Sequence, residues 1–104
     1  MTSTRTNTWK STERTLALRL GGVRVPVNGR GETSDIDHPW LAIECKQRKA
    51  VPGWLRNAVM QARAGNPDGR KLPVALIHPA GARYDDTLVV MHLTDFEEWF
   101  GGTK

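Results

Sequence analysis

Cys45 is the single cysteine among 104 residues, so no disulfide can close within the chain, and a lone thiol fits a reducing compartment. No apolar run approaches the roughly 20 residues that a membrane-spanning helix needs. The opening stretch MTSTRTNTWKSTER has none of the apolar centre of a secretory signal. The expectation is therefore a soluble protein with no membrane partner, cytoplasmic, or in the host cytoplasm if phage-encoded. The histidines, His38, His78 and His92, are too widely spaced for a close metal-binding pair. The GNPDG run at 65–69 lacks the lysine and helix of a phosphate-binding loop. There is no internal repeat and no linker-like stretch, so residues 9–104 read as one domain. Residues 1–8 carry no apolar anchor and read as a disordered tail.

What the chain has in excess is positive charge, +4 at neutral pH with a pI near 9.7. That balance favours a polyanionic partner. Arg5, Lys10, Arg14, Arg30, Arg48 and Lys49 are placed where they could meet a phosphate backbone. The acids gather instead at Asp35/Asp37, Asp85/Asp86 and Asp95/Glu97/Glu98.

Hydrophobic spacing sets out the elements. Glu13, Leu16, Ala17 and Leu20 recur at one helical face, predicting a helix over 9–21 that Gly21-Gly22 ends. Glu13 shares that apolar stripe, so it leans inward and needs an arginine, another cation or a metal ion as partner. VRVPV at 23–27 reads as a half-buried edge strand, followed by a Gly-rich loop at 28–34. SDIDHPWLAIECKQRK at 34–49 reads as an acidic turn, an apolar strand over 40–46 and a basic exit. A helix is expected over 52–64, with Leu55, Ala58, Val59 and Ala62 as its stripe. LPVALIH at 72–78 reads as a central strand buried on both faces. TLVVMHL at 87–93 is a further strand, and Thr94 with Glu97 forms a capping-box pattern opening a last helix packed through Phe96, Trp99 and Phe100. The order is α-β-β-β-α-β-β-α, an α/β chain whose natural packing is a mixed sheet flanked by helices.

Within the 34–49 stretch the strand alternation puts Leu41, Ile43 and Cys45 on one face and Trp40, Ala42, Glu44 and Lys46 on the other. Asp35 lies nine positions before Glu44, with enough chain for the acidic turn to double back beside it. Asp35 and Glu44 can then hold a hard divalent cation, with the backbone carbonyl of Cys45 as a third oxygen. Asp37 is a second candidate for the acidic position. Lys46 can orient or deprotonate a water, or stabilise developing negative charge. Glu13 can complete the site directly or through a water, and Gln61 can hydrogen-bond the water or the scissile phosphate. Trp40 and Trp54 can stack on bases or pack at an interface.

An Asp, a short spacer, then Glu-x-Lys at the end of an apolar strand resembles the PD-(D/E)xK nuclease pattern. The preceding helix with its Glu, the Gly-rich loop, the Asp-Ile pair and the following helix with its Gln are similar to the archaeal-type and phage Holliday junction resolvases over residues 9–93. Ser34 stands where the pattern has proline, and Cys45 where a β-branched residue is usual. The resemblance implies a restriction-endonuclease-like fold and Mg²⁺-dependent hydrolysis of DNA, with Mn²⁺ as a substitute. Its metal site would be formed by Glu13, Asp35, Glu44 and Lys46, with Gln61 joining them in the catalytic set. It further implies a homodimer nicking a four-way junction symmetrically. A nicking, flap or repair nuclease, or a catalytically silent nucleic-acid-binding module on the same fold, are the alternatives.

Overall fold

The computed structural model describes residues 3–25 and 35–101, with the side chains of residues 3–8 excepted. It is a small mixed α/β protein. Three α-helices, α1 (Ser3–Leu20), α2 (Gly53–Ala64) and α3 (Leu93–Phe100), accompany strands β1 (Val23–Arg24), β2 (Ile36–Asp37), β3 (Ala75–Ile77) and β4 (Leu88–Val90). The strands form two separate antiparallel pairs, β1 with β2 and β3 with β4. The described residues up to Arg48 make one compact unit and Lys49–Gly101 a second.

In the first unit, α1 begins at Ser3, several residues before the apolar stripe. Its inward positions are Glu13 and Ala17, both buried, flanked by half-buried Trp9, Leu16 and Leu20. The helix ends in a Schellman arrangement: Gly21 takes a φ of 82°, its N–H donates to the Leu18 carbonyl, and the Gly22 N–H donates to the Ala17 carbonyl. A side chain at Gly21 would be strained there. Gly22 serves a different need, since a Cβ on it would lie 2.6 Å from both the Asp37 carbonyl oxygen and Ile36 Cγ2. The chain leaving α1 therefore runs directly against β2, which pairs in the register Val23 with Asp37 and Arg24 with Ile36. Ile36, 1% exposed, is the centre of this small core. His38 closes it: its Nε2 lies 2.6 Å from the Leu20 carbonyl oxygen, and its Nδ1 accepts the N–H groups of Trp40 and Leu41. Those two acceptor bonds leave the ring proton on Nε2.

The expected strand over 40–46 is not a paired strand. It is an extended segment with one isolated bridge, Ile43 opposite Ile36, and further bonds to His38 and Asp35. The alternation is nevertheless present, with 41, 43 and 45 half-buried and 40, 42, 44 and 46 exposed. An extended backbone keeps its period of two whether or not a ladder forms.

In the second unit, α2 packs on β3 with Val59 buried and Leu55, Ala58 and Ala62 half-buried. The central strand expected over 72–78 is corrected to the three residues of β3 in a two-stranded hairpin, with Leu76 66% exposed. Pro73 and Pro79 bracket it, and neither can donate to a ladder. The capping box is also absent: α3 starts at Leu93 with His92 at the cap position and no side-chain cap bond. Thr94 thus lies inside the helix. Phe96 stacks on Phe100 at 4.8 Å, whereas Trp99 and Phe100 remain about half exposed. Asp95 is the buried residue of α3 and receives Arg63 of α2 through Nε at 3.1 Å and a second, longer bond. Among the described residues no helix is long and apolar enough to cross a membrane.

Candidate functional site

The site grows from the turn that β2 imposes. Asp35 precedes β2, and three bonds tie it to distant backbone. Its N–H donates to the Ile43 carbonyl, its own carbonyl accepts the Val25 N–H, and its carboxylate Oδ2 accepts the Cys45 N–H at 2.6 Å. The side chain is therefore buried, at 5% residue exposure, yet lies beside the Glu44–Lys46 backbone. A carboxylate accepting an N–H at that distance is a charge-assisted bond, stronger than one between neutral groups.

Asp35, Glu13, Glu44 and Lys46 all line one cleft of about 350 Å³ within the first unit. Trp9, Cys45 and the basic exit, Gln47 and Arg48, complete its wall. Glu44 and Lys46 form an ion pair at 3.4 Å, with side chains 62% and 66% exposed. An exposed pair of this kind contributes about 0–1 kcal/mol, so Glu44 is held only loosely.

Glu13 sits differently. It is 1% exposed, and its Oε1 accepts Arg24 Nε at 2.6 Å. Arg24 is half-buried beside it, its side chain 12% exposed, while neighbouring Val23 on β1 faces solvent. Of the partners an inward glutamate could take, the structure supplies the arginine. Arg24 was not distinguishable in sequence from the other surface cations. The signal that could have found it is a basic residue in the strand directly after a helix that carries an inward acid.

The remaining candidates fall elsewhere. Lys10 and Arg14 are exposed on α1. The side chain of Arg5 and all of Arg30 lie outside the described residues. Gln61 and Lys49 belong to the second unit, both exposed. Asp37 is exposed on β2 and is not on the cleft wall.

Among the described residues no group of three His, Cys, Asp or Glu side chains is gathered as a metal cluster. Magnesium does not require one, since it commonly takes one or two carboxylates and keeps several waters. Asp35 and Glu44 provide two hard carboxylates on one wall, with the Cys45 carbonyl following Glu44 in the chain, and this donor set fits such an ion. The two carboxylates balance the two cations Lys46 and Arg48, and Arg24 balances Glu13. The cleft is thus near neutral by itself. Binding a divalent cation would make it positive and attractive to phosphate.

Compared with known proteins, the chain matches no family model, no curated protein and no solved structure.

Proposed function

We propose that this protein is a metal-dependent endonuclease acting on branched DNA, with the four-way junction as its preferred substrate and a homodimer as its working form. The observation that carries the reading is the bond from Cys45 N–H to Asp35 Oδ2. It joins an acid to the Glu-x-Lys segment ten residues on, in the cleft that Glu44 and Lys46 also line. The finer fold assignment, restriction-endonuclease-like, belongs to this reading. Its support is the antiparallel run from β1 to β2 to the Ile43 bridge, followed by α2.

Asp35 and Glu44 would hold Mg²⁺, or Mn²⁺ in its place. The ion, when bound, supplies charge relief at the phosphoryl oxygens and a more acidic water. Lys46, beside Glu44, would orient that water or stabilise developing negative charge. Glu13, clasped by Arg24 through Oε1, lines the same cleft and would complete the site directly or through a water. Lys46, Arg48 and the exposed cations of α1 would hold the backbone without reading bases.

A labelled four-way junction, compared with matched duplex, flap and single-stranded DNA, tests the proposal. Paired symmetric nicks on the junction that need Mg²⁺ and vanish in EDTA, Glu44→Ala and Lys46→Ala support it. Metal-dependent cutting of flap or duplex would keep the site and change the substrate. The clasping of Glu13 by Arg24 favours a second reading, a nucleic-acid-binding module without catalysis. Absence of cutting in Mg²⁺ and Mn²⁺ by a folded wild type that binds DNA would select it.

A further inference from the structure

Trp9 lies one helical turn before Glu13, at i and i+4, and so on the same stripe of α1. Glu13 and Ala17 on that stripe are buried, while Trp9 is only half-buried and lines the cleft. Its indole shares a wall with three carboxylates, Glu13, Asp35 and Glu44, and two cations, Lys46 and Arg48. Gln47, whose amide has both donor and acceptor, lines the same cleft. An aromatic surface, a hydrogen-bonding amide and cations are the parts that recognise one nucleotide: base face, base edge and phosphate. The cleft, about 350 Å³, is at the small end of the about 300–1,000 Å³ typical of small-molecule sites, which suits one nucleotide.

We infer that this cleft binds an unpaired nucleotide, its base stacked on Trp9, its edge met by Gln47 and its phosphate by Lys46 and Arg48. In a continuous duplex both faces of each base are stacked, so a duplex cannot use Trp9 without opening. The inference rests on the nucleic-acid part of the proposed function and deepens it. The substrate would be distorted or unpaired at the point of contact.

The test reads binding, not cleavage. Fluorescence anisotropy compares a single-stranded 15-mer with a hairpin duplex of the same composition, in EDTA and then in Ca²⁺. The proteins are wild type, Trp9→Ala, Trp9→Phe and Trp40→Ala, with circular dichroism verifying their fold. The expected result is preference for the single strand, a loss of about fivefold to hundredfold in Trp9→Ala, and most of the affinity retained in Trp9→Phe and Trp40→Ala. In ¹⁵N spectra the Trp9 indole signal, identified by its loss in Trp9→Phe, should shift with a deoxynucleoside 5′-monophosphate and not with deoxyribose 5-phosphate. If Trp9→Ala does not fold, Trp9→Phe and that signal still decide the matter. Equal binding of duplex and single strand overturns the inference, as does loss through Trp40 instead of Trp9. If junction cleavage is present in either case, the nuclease proposal survives. Absence of all nucleic-acid binding overturns both.

Discussion

Cutting the clasp between Glu13 and Arg24 should cost far more than an ordinary ion pair is worth. The carboxylate is 1% exposed, the arginine side chain 12%, and their atoms are 2.6 Å apart. Exposed pairs contribute about 0–1 kcal/mol. Removing one member of a buried pair costs about 3–5 kcal/mol, because the other charge is left in a poor solvent. Arg24→Met, which keeps the aliphatic stem, should therefore lose about 3–5 kcal/mol. Glu13→Gln, which keeps an acceptor and the volume, should lose less. The double variant Glu13→Leu/Arg24→Met removes both charges and should return to within about 1 kcal/mol of wild type. The assay is urea unfolding followed by far-ultraviolet circular dichroism. With a slope of about 1–3 kcal/mol per molar urea, the Arg24→Met midpoint should fall by about 1 M or more. Additive losses, or a cost below about 1 kcal/mol for Arg24→Met, would refute the argument. The same series bears on the cation: if Glu13 is not a direct ligand, Mg²⁺ should raise the midpoint of Glu13→Gln as much as that of wild type.

Other expectations follow from the contacts already described. Gly22→Ala must push β1 away from β2 and should destabilise by about 1–3 kcal/mol, since the obstructing atoms include backbone. A melting point equal to wild type would sink that argument. His38→Ala leaves the Trp40 and Leu41 N–H groups without their acceptor and should cost about 1–3 kcal/mol, while His38→Asn should recover part of the loss; equal destabilisation by both would contradict it. Asp95→Ala should cost only about 1 kcal/mol, because Arg63 is partly exposed and can turn to water. A loss of several kcal/mol in urea unfolding would show the pair to be buried. Addition of Ca²⁺ should strengthen single-stranded DNA binding of the wild type and leave Asp35→Asn/Glu44→Gln nearly unaffected, because the cleft is balanced in charge without a cation; equal strengthening in both would place the ion elsewhere.

Much of the cleft could be read from residues. Glu13 leans inward because its position is fixed by Leu16, Ala17 and Leu20. Glu44 and Lys46 share a face because any extended segment alternates, and Asp35 meets them because nine residues suffice for a return. What could not be read depends on tertiary choices. The alternation of Val23 and Val25 with Arg24 gave no reason to turn the arginine inward, since the demand comes from Glu13 across a turn. His38 is an unremarkable turn residue until the Leu20 carbonyl is brought to it. Thr94 and Glu97 make a valid cap locally, but the cap position falls two residues earlier, at His92, and the helix starts at Leu93. The apolar content of 72–78 resembles a central strand, and only its pairing partners determine that it forms half of a hairpin.

The way the 40–46 segment is held has a consequence for how the gene can vary. The Ile43 bridge, the bond from Asp35 N–H to the Ile43 carbonyl and the bond from Cys45 N–H to the Asp35 carboxylate set its phase, with His38 holding the Trp40 and Leu41 N–H groups, and side chains on the two faces exchange with every single-residue shift. Side-chain substitutions at exposed Trp40 or Ala42 remove none of these backbone restraints. Deleting or inserting one residue between Asp37 and Ile43 would instead turn Glu44 and Lys46 toward the core and bring Cys45 outward. Related chains should therefore be free in composition at the exposed positions 40 and 42 and uniform in length between Asp37 and Ile43, with insertions and deletions confined to other parts of the protein.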